Sequence, residues 1–341
     1  TALDNIPVVG TPTKKGIKKF KTDIKTIVLE GSSIFESMGY TYLGPVDGHD
    51  IGELIKIFNH AKTMDAPLFI HVKTKKGKGY KPAEAQPDKF HGIGSFDPKT
   101  GKPIVVSNKV SWSECFGEAI CNIAAKNEKV VAVTAAMPLG TGLKKFSDRY
   151  GSRFFDVGIA EQHAATFSAG LARSGLVPVF AVYSTFLQRA YDQLLHDISL
   201  QNLHTVVVID RSGPVGGDGE THQGVYDISF LSHMPNMYLI SPVIDKDMEV
   251  ALDFSVNKHK GPIAVRYPRG SALTEADFKD YEIPRLTTDN CLKSRVIAAE
   301  SDADVLIVSV GVMLKNAVEV KEILEKSGYT VSLVDALCVK P

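Results

Sequence analysis

Four stretches of the chain place polar or aromatic side chains where open α/β sheets do their chemistry, at the turn from a strand into a helix or loop. In the run from Asp156 to His163, Glu161 stands where an apolar strand ends and a helical pattern begins. A carboxylate there either caps the helix, favoured by its dipole, or reaches a ligand. In the run from Tyr183 to Gln193, Tyr183 and Phe186 offer an aromatic face for a planar heterocycle, or fill core as most aromatics do. The run from Asp210 to Gly224 is too polar and glycine-rich for a core, and it offers Arg211, Asp218 and His222. Loops at sheet edges carry function disproportionately. The run from Arg266 to Gly270 brings Arg266 and Arg269 to the end of another strand, where two guanidinium groups can hold a phosphate by bidentate hydrogen bonds. Either arginine alone is equally a solvated surface charge. If the four junctions share one parallel sheet, they open toward one edge, and that convergence argues for an active site more strongly than any single run.

The elements that would position these residues follow from periodicity. From residue 110 onward helical and strand patterns alternate: helices over 111–126, 143–149, 161–174, 186–200 and 245–257, and strands over 130–135, 154–157, 177–184, 205–210 and 263–266. The strands are continuous Val/Ile/Phe runs, which suits parallel strands covered on both faces. A polar connection over 271–300 leads to a strand at 304–312, a helix at 314–327 and a strand at 329–334. Before residue 110 the pattern is looser. Residues 14–28 are lysine-rich with Ile17, Phe20, Ile24 and Ile27 at helical spacing. A loop holding Gly44, Pro45, Gly48 and His49 precedes a helix over 50–64, capped by Asp50 and carrying Ile51, Leu54, Ile55 and Phe58 on one face. A short strand at 67–72, a glycine- and lysine-rich loop from Thr74 to Tyr80, and a linker over 81–108 complete it.

Bulk composition excludes several classes. The chain has 341 residues, room for two or three domains, and 44% hydrophobic residues, enough for a large core. Lys and Arg number 39, as do Asp and Glu, and this balance argues against a dedicated nucleic-acid binder or a polybasic membrane binder. Cys115, Cys121, Cys291 and Cys338 form no C-x-x-C pair, so they read as buried free thiols of a reducing compartment. No apolar run is long enough for a signal sequence or membrane span, and the expectation is a cytoplasmic protein. Beginning at Thr1, the sequence reads as an incomplete chain.

The residues resemble the 1-deoxy-D-xylulose-5-phosphate synthases, within the transketolase-like thiamine-diphosphate enzymes. The resemblance runs along essentially the whole chain. It is carried by the stretches from Gly44 to Asp50, Thr74 to Tyr80 and Phe90 to Gly92, and by the four junction runs. It implies a transketolase-like fold of parallel sheets flanked by helices and the beginning of a C-terminal α/β domain. It also implies a carboligase that decarboxylates pyruvate on thiamine diphosphate and passes the two-carbon unit to glyceraldehyde 3-phosphate, for isoprenoid, thiamine and pyridoxal precursors. Glu161 matches the carboxylate that bonds N1′ of the aminopyrimidine, with a pKa raised by burial. Phe186 matches the ring packed on that heterocycle, and Lys76 and Tyr80 match positions near the diphosphate. His91 and His222 match histidines that move protons during carboligation, with Asp218 beside His222 to orient it or the acceptor hydroxyl. Tyr183, Ser184, Arg211 and Arg269 match a cradle for the substrate phosphate. A homodimer in a bacterial cytoplasm or plastid stroma is implied as well.

The metal site departs from the family pattern. These enzymes hold Mg²⁺ with a Gly-Asp-Gly followed a helix-length later by an asparagine. The Gly-Asp-Gly at Gly217–Gly219 lies inside the third run, and the next asparagine, Asn236, has no metal-site character. No metal ligand is therefore expected in this chain, and the Mg²⁺ site is expected in a missing N-terminal segment, so that the chain alone binds the cofactor weakly and is inactive. The resemblance divides the chain into the tail of a diphosphate-binding domain with linker at 1–105, an aminopyrimidine-binding domain at 110–285 and the opening of a C-terminal domain at 292–341. The competing expectations are another transketolase-like enzyme, a non-catalytic assembly module, and a separately encoded subunit.

Overall fold

The computed structural model describes residues 34–104, 109–278 and 280–340. The helical pattern at 14–28 lies outside these residues. The chain separates into two compact units, Thr1–Val105 and Val106–Pro341.

In the first unit, strand β1 (Thr41–Asp47), helix α1 (Ile51–Ala61) and strand β2 (Leu68–Lys73) form a parallel β-α-β unit. Asp50 caps α1 as its composition dictates, its Oδ1 accepting from the Glu53 N–H at 2.9 Å. The stretch read as a loop at Gly44 and Pro45 is strand, with an irregular register between Leu43 and Val46 that absorbs the proline. The face of α1 that meets the sheet carries Leu54, Ile57 and Ala61, whereas Ile51, Ile55 and Phe58 are exposed. The expected linker holds two short helical turns, Lys81–Ala85 and Pro87–His91, which pack beside an aromatic cluster of Tyr80, Phe90 and Phe96.

The second unit is built on a seven-stranded sheet. Its strands are β3 (Val130–Thr134), β4 (Phe154–Asp156), β5 (Val177–Tyr183), β6 (Val206–Asp210), β7 (Tyr238–Ile240), β8 (Ile263–Arg266) and β12 (Cys338–Lys340), in the order β12-β7-β8-β6-β5-β3-β4. All pairings are parallel except that of β12 with β7. Continuous apolar runs are explained by two-sided burial. Along β6, Val206 and Val208 pack into one core with Phe116 and Ile120 of helix α2 (Trp112–Lys126). Val207 and Ile209 pack into the opposite core with Ala164 and Ala165 of helix α3 (Glu161–Arg173). The capping box of Ser111 and Glu114 starts α2. The helix expected over 186–200 is broken into α4 (Ser184–Leu187), a tight turn and a wide turn at Leu194–Ser199.

The polar connection read over 271–300 contains buried Phe278, Ile283, Leu286 and Cys291 and strand β9 (Arg295–Ala298). Strand β10 (Val305–Ser309) is parallel to β11 (Val331–Asp335), and β9 joins β11 antiparallel. Strand β10 stops before Gly311, whose positive φ of 58° opens a turn into helix α6 (Leu314–Lys326), helix α5 being Asp245–Asp253. Arg295 is buried between two carboxylates, giving Asp247 of α5 bonds of 2.9 and 2.8 Å and Asp335 of β11 one of 2.9 Å. This triad and β12 fasten the segment after residue 292 to the large sheet. All four cysteines are free; Cys121 and Cys291 are buried, Cys115 and Cys338 only partly so. Among the described residues no helix is long and apolar enough to cross a membrane.

Candidate active site

Strands β4, β5, β6 and β8 are mutually parallel members of one sheet, so the chain leaves them all at the same edge. That edge receives Glu161, Tyr183, Asp210 with Arg211, and Arg266 in turn. After β4, Asp156 Oδ1 accepts from the backbone N–H groups of Ala136 and Gly158, at 2.7 and 3.0 Å, and shapes the turn into α3. Glu161 is the first residue of α3 and is buried. Its carboxylate is paired: Arg189 NH1 donates to both oxygens, at 3.0 and 3.2 Å. The same guanidinium stands 5.2 Å from the centroid of the Phe186 ring. Glu161 and Phe186 therefore flank one cation.

Phe186 also stacks on Tyr183, with centroids 5.9 Å apart, and meets the His222 ring edge-on at 5.3 Å. The Tyr183 hydroxyl is packed against Gly140, where an added methyl would lie 1.6 Å away. Burial pushes the Tyr183 phenol above its ordinary range, so it stays a neutral donor. Ser184 is buried, and its Oγ has no hydrogen-bond partner among the described residues. Arg211 lays its guanidinium on the Tyr183 ring, 3.9 Å from the centroid. Its backbone is left-handed, φ 59°, unusual for a residue with a side chain.

Arg211 also pairs with Asp218, and Arg269 Nε lies 3.2 Å from the other Asp218 oxygen. Two guanidinium groups thus share one carboxylate. The expected partnership of Asp218 with His222 is replaced by this clamp, while His222 Nδ1 is hydrogen-bonded to Thr221 Oγ1 at 3.0 Å. Arg266, the other arginine of that run, holds buried Asp227 with its guanidinium, at 2.7 and 3.3 Å. A carboxylate between two arginines has the wrong surroundings for a cation, so Asp218 makes a poor magnesium ligand despite its Gly-Asp-Gly setting. Among the described residues no group of three His, Cys, Asp or Glu side chains could hold a metal ion.

The remaining candidates belong to the first unit. Lys76 and His91 are exposed. The Tyr80 ring packs against Phe90 and Phe96, and its hydroxyl is buried without a hydrogen-bond partner among the described residues. His49 Nε2 accepts from the Lys75 N–H at 2.7 Å, and Glu84 pairs with Lys75 at 2.6 Å, which holds its carboxyl down at about 2. Sequence reasoning missed Arg189, although its position three residues after Phe186 puts both on one helical face. It also missed Gly140 and the buried Asp210, which carry no local signal.

Comparison with known proteins agrees along the whole chain. Residues 1–74 match the family described as 1-deoxy-D-xylulose-5-phosphate synthase, residues 108–273 the transketolase pyrimidine binding domain, and residues 294–341 the transketolase C-terminal domain. A 1-deoxy-D-xylulose-5-phosphate synthase of Clostridium tetani is 47% identical over 340 residues, 99% of this chain and 53% of that protein. One from Natranaerobius thermophilus is 46% identical over 340 residues, 99% of this chain and 52% of its own length. The chain thus spans about half the length of the curated relatives it matches. Among solved structures, a split gene transketolase described as an inactive beta4 tetramer aligns with TM-score 0.55 at 24% identity, covering 67% of this chain and 71% of that one. A Pichia stipitis transketolase aligns with TM-score 0.58 at 15% identity, covering 68% of this chain and 35% of that one. These two likenesses show the fold.

Proposed function

We propose that this chain, which belongs to the 1-deoxy-D-xylulose-5-phosphate synthase family, carries the aminopyrimidine and phosphate-binding side of an enzyme that joins a two-carbon unit from pyruvate to glyceraldehyde 3-phosphate. The observation that carries this reading is the gathering, at one sheet edge, of a buried carboxylate beside an aromatic ring and of two arginines sharing one carboxylate. The first pair suits an aminopyrimidine, and the second suits a phosphate.

Thiamine diphosphate, when bound, would supply a thiazolium that stabilises negative charge on carbon, chemistry no side chain offers. Glu161 would hold N1′ of its aminopyrimidine, with Phe186 against the ring; Lys76 and Tyr80 are proposed near the diphosphate. Arg189 occupies the Glu161 carboxylate in this structure and would give up part of that contact. The clamp of Arg211 and Arg269 keeps a net positive charge after Asp218 is counted, so it attracts a phosphate. Tyr183 adds a neutral phenol and Ser184 an unsatisfied hydroxyl to that cradle. His222 would move a proton at the acceptor aldehyde, and for His91, in the first unit, proton transfer is proposed from the resemblance. The aromatic faces of Tyr183 and Phe186 would keep water away from the reacting carbons. Magnesium would be held by residues other than Asp218. The proposed setting is a homodimeric enzyme in bacterial cytoplasm or plastid stroma, supplying isoprenoid, thiamine and pyridoxal precursors; the two relatives named above are bacterial.

The cradle is tested by calorimetric titration with glyceraldehyde 3-phosphate and with unphosphorylated glyceraldehyde. Arg269→Ala is expected to weaken the phosphate ester about tenfold or more while leaving the plain aldehyde unchanged. Equal losses for both ligands would contradict it.

A further inference from the structure

Beneath the two-arginine clamp lies a buried polar group that the proposed reaction does not use. Asp210, the last residue of β6, is 1% exposed. Its Oδ2 accepts from Ser113 Oγ of α2 at 2.6 Å. Its Oδ1 and the fully buried Tyr267 hydroxyl have no close hydrogen-bond partner among the described residues, but they face each other and each influences the other's titration. Buried carboxylates with an unsatisfied oxygen cost stability, and such groups persist where function needs them.

The backbone shows what Asp210 is tied to. The Tyr267 N–H donates to the Ile209 carbonyl at 3.1 Å, and the Ser212 N–H donates to the Tyr267 carbonyl at 3.0 Å. Residues 210 and 211 are therefore pinched between two bonds to one residue. Arg211 takes its left-handed φ of 59° inside that pinch. The Asp210 side chain is buried and bonded to α2, while the next side chain reaches the Tyr183 ring and Asp218. Tyr267 itself stacks on Trp112 and stands two residues before Arg269, the second arginine of the clamp.

We infer that Asp210 is a positioning residue: held by Ser113 and facing the Tyr267 hydroxyl, its side chain fixes the left-handed turn, inside the backbone pinch, that aims Arg211 at the substrate phosphate. Left-handed conformations at non-glycine residues survive only when their surroundings over-determine them. Its binding consequence rests on the phosphate-cradle reading above; its structural consequence does not.

Two measurements on the chain separate the two. In a crystal structure of Asp210→Ala, Arg211 is expected to leave its positive φ and its place on the Tyr183 ring; an unmoved Arg211 overturns the inference. In titrations with inorganic phosphate, Asp210→Ala is expected to weaken binding about tenfold, Ser113→Ala less, in the same direction, and Asp210→Asn to restore it, because the amide keeps the shape and an oxygen for Ser113. Should Asp210→Ala fail to fold, Ser113→Ala carries both measurements, since it removes only the one hydrogen bond. Unaltered affinity and an unmoved Arg211 in that variant also overturn the inference. If wild-type chain binds no phosphate, the cradle reading fails, while the crystallographic result still decides whether Asp210 sets Arg211.

Discussion

Replacing Asp210 by asparagine should make the protein more stable at neutral pH and leave it unchanged in acid. Burial is the main cause that pushes the Asp210 carboxyl up from 3.8 to about 6, against the opposing pull of Ser113, of the Arg211 charge and backbone N–H, and of the Tyr267 hydroxyl. Tyr267 faces it as a buried phenol pushed well above the ordinary range, and Tyr183 and Asp218 lie beyond Arg211. A carboxyl whose folded pKa is raised contributes stability that is fully present below its unfolded pKa and is lost as pH rises through the folded one. The window here runs from 3.8 to about 6. At about 1.4 kcal/mol per pKa unit, the wild-type chain loses up to about 3 kcal/mol across it. Asparagine has no ionisation to disfavour and keeps an oxygen for Ser113. Urea unfolding at a series of pH values should show the two proteins nearly equal at about pH 3 and the variant ahead by about 2–3 kcal/mol at about pH 8. A difference that does not change with pH, or a variant less stable at pH 8, would refute the reasoning.

Three further outcomes follow from the same geometry. Arg295→Ala leaves Asp247 and Asp335 buried without their cation and should cost about 3–5 kcal/mol in chemical denaturation; a loss below about 1 kcal/mol would mean the triad is not holding the segment in place. Gly224→Ala sets a methyl 2.2 Å from the Arg211 carbonyl oxygen and 2.7 Å from Ser184 Cβ, so it should lower stability by about 1–3 kcal/mol and weaken phosphate binding together; a fall in neither would speak against the packing. Arg269→Ala should weaken glyceraldehyde 3-phosphate about tenfold or more and leave unphosphorylated glyceraldehyde unchanged in calorimetry; equal losses would speak against the cradle.

The large sheet was legible because its signal is local. Strands β3, β5, β6 and β8 are buried on both faces, so each shows as an unbroken apolar run, and the helices between them carry their own periodicity. The shared edge of Glu161, Tyr183, Arg211 and Arg269 follows from that parallel order, since parallel strands must all end on one side. Strand β1 was hidden because Gly44 and Pro45, ordinary turn residues, sit inside it. Strands β7, β9 and β12 are three or four residues long, too short for a period, and β12 finds its partner about a hundred residues away in the chain. Side-chain pairing was the least readable level. The partner of Glu161 is 28 residues distant, and the capture of Asp218 by Arg211 and Arg269 depends on where a loop closes. Arg266 and Arg269 are alike in sequence context, yet Asp227 claims the first and leaves the second at the clamp.

The central claim is that these side chains serve carboligation on thiamine diphosphate. The most direct test exchanges this chain for the matching stretch of the Clostridium tetani relative. The product formed from pyruvate and glyceraldehyde 3-phosphate is then measured with thiamine diphosphate and Mg²⁺ present. The account predicts 1-deoxy-D-xylulose 5-phosphate from the exchanged protein and its loss on Glu161→Ala. A folded exchanged protein that forms none, or one whose turnover is indifferent to Glu161→Ala, would contradict it.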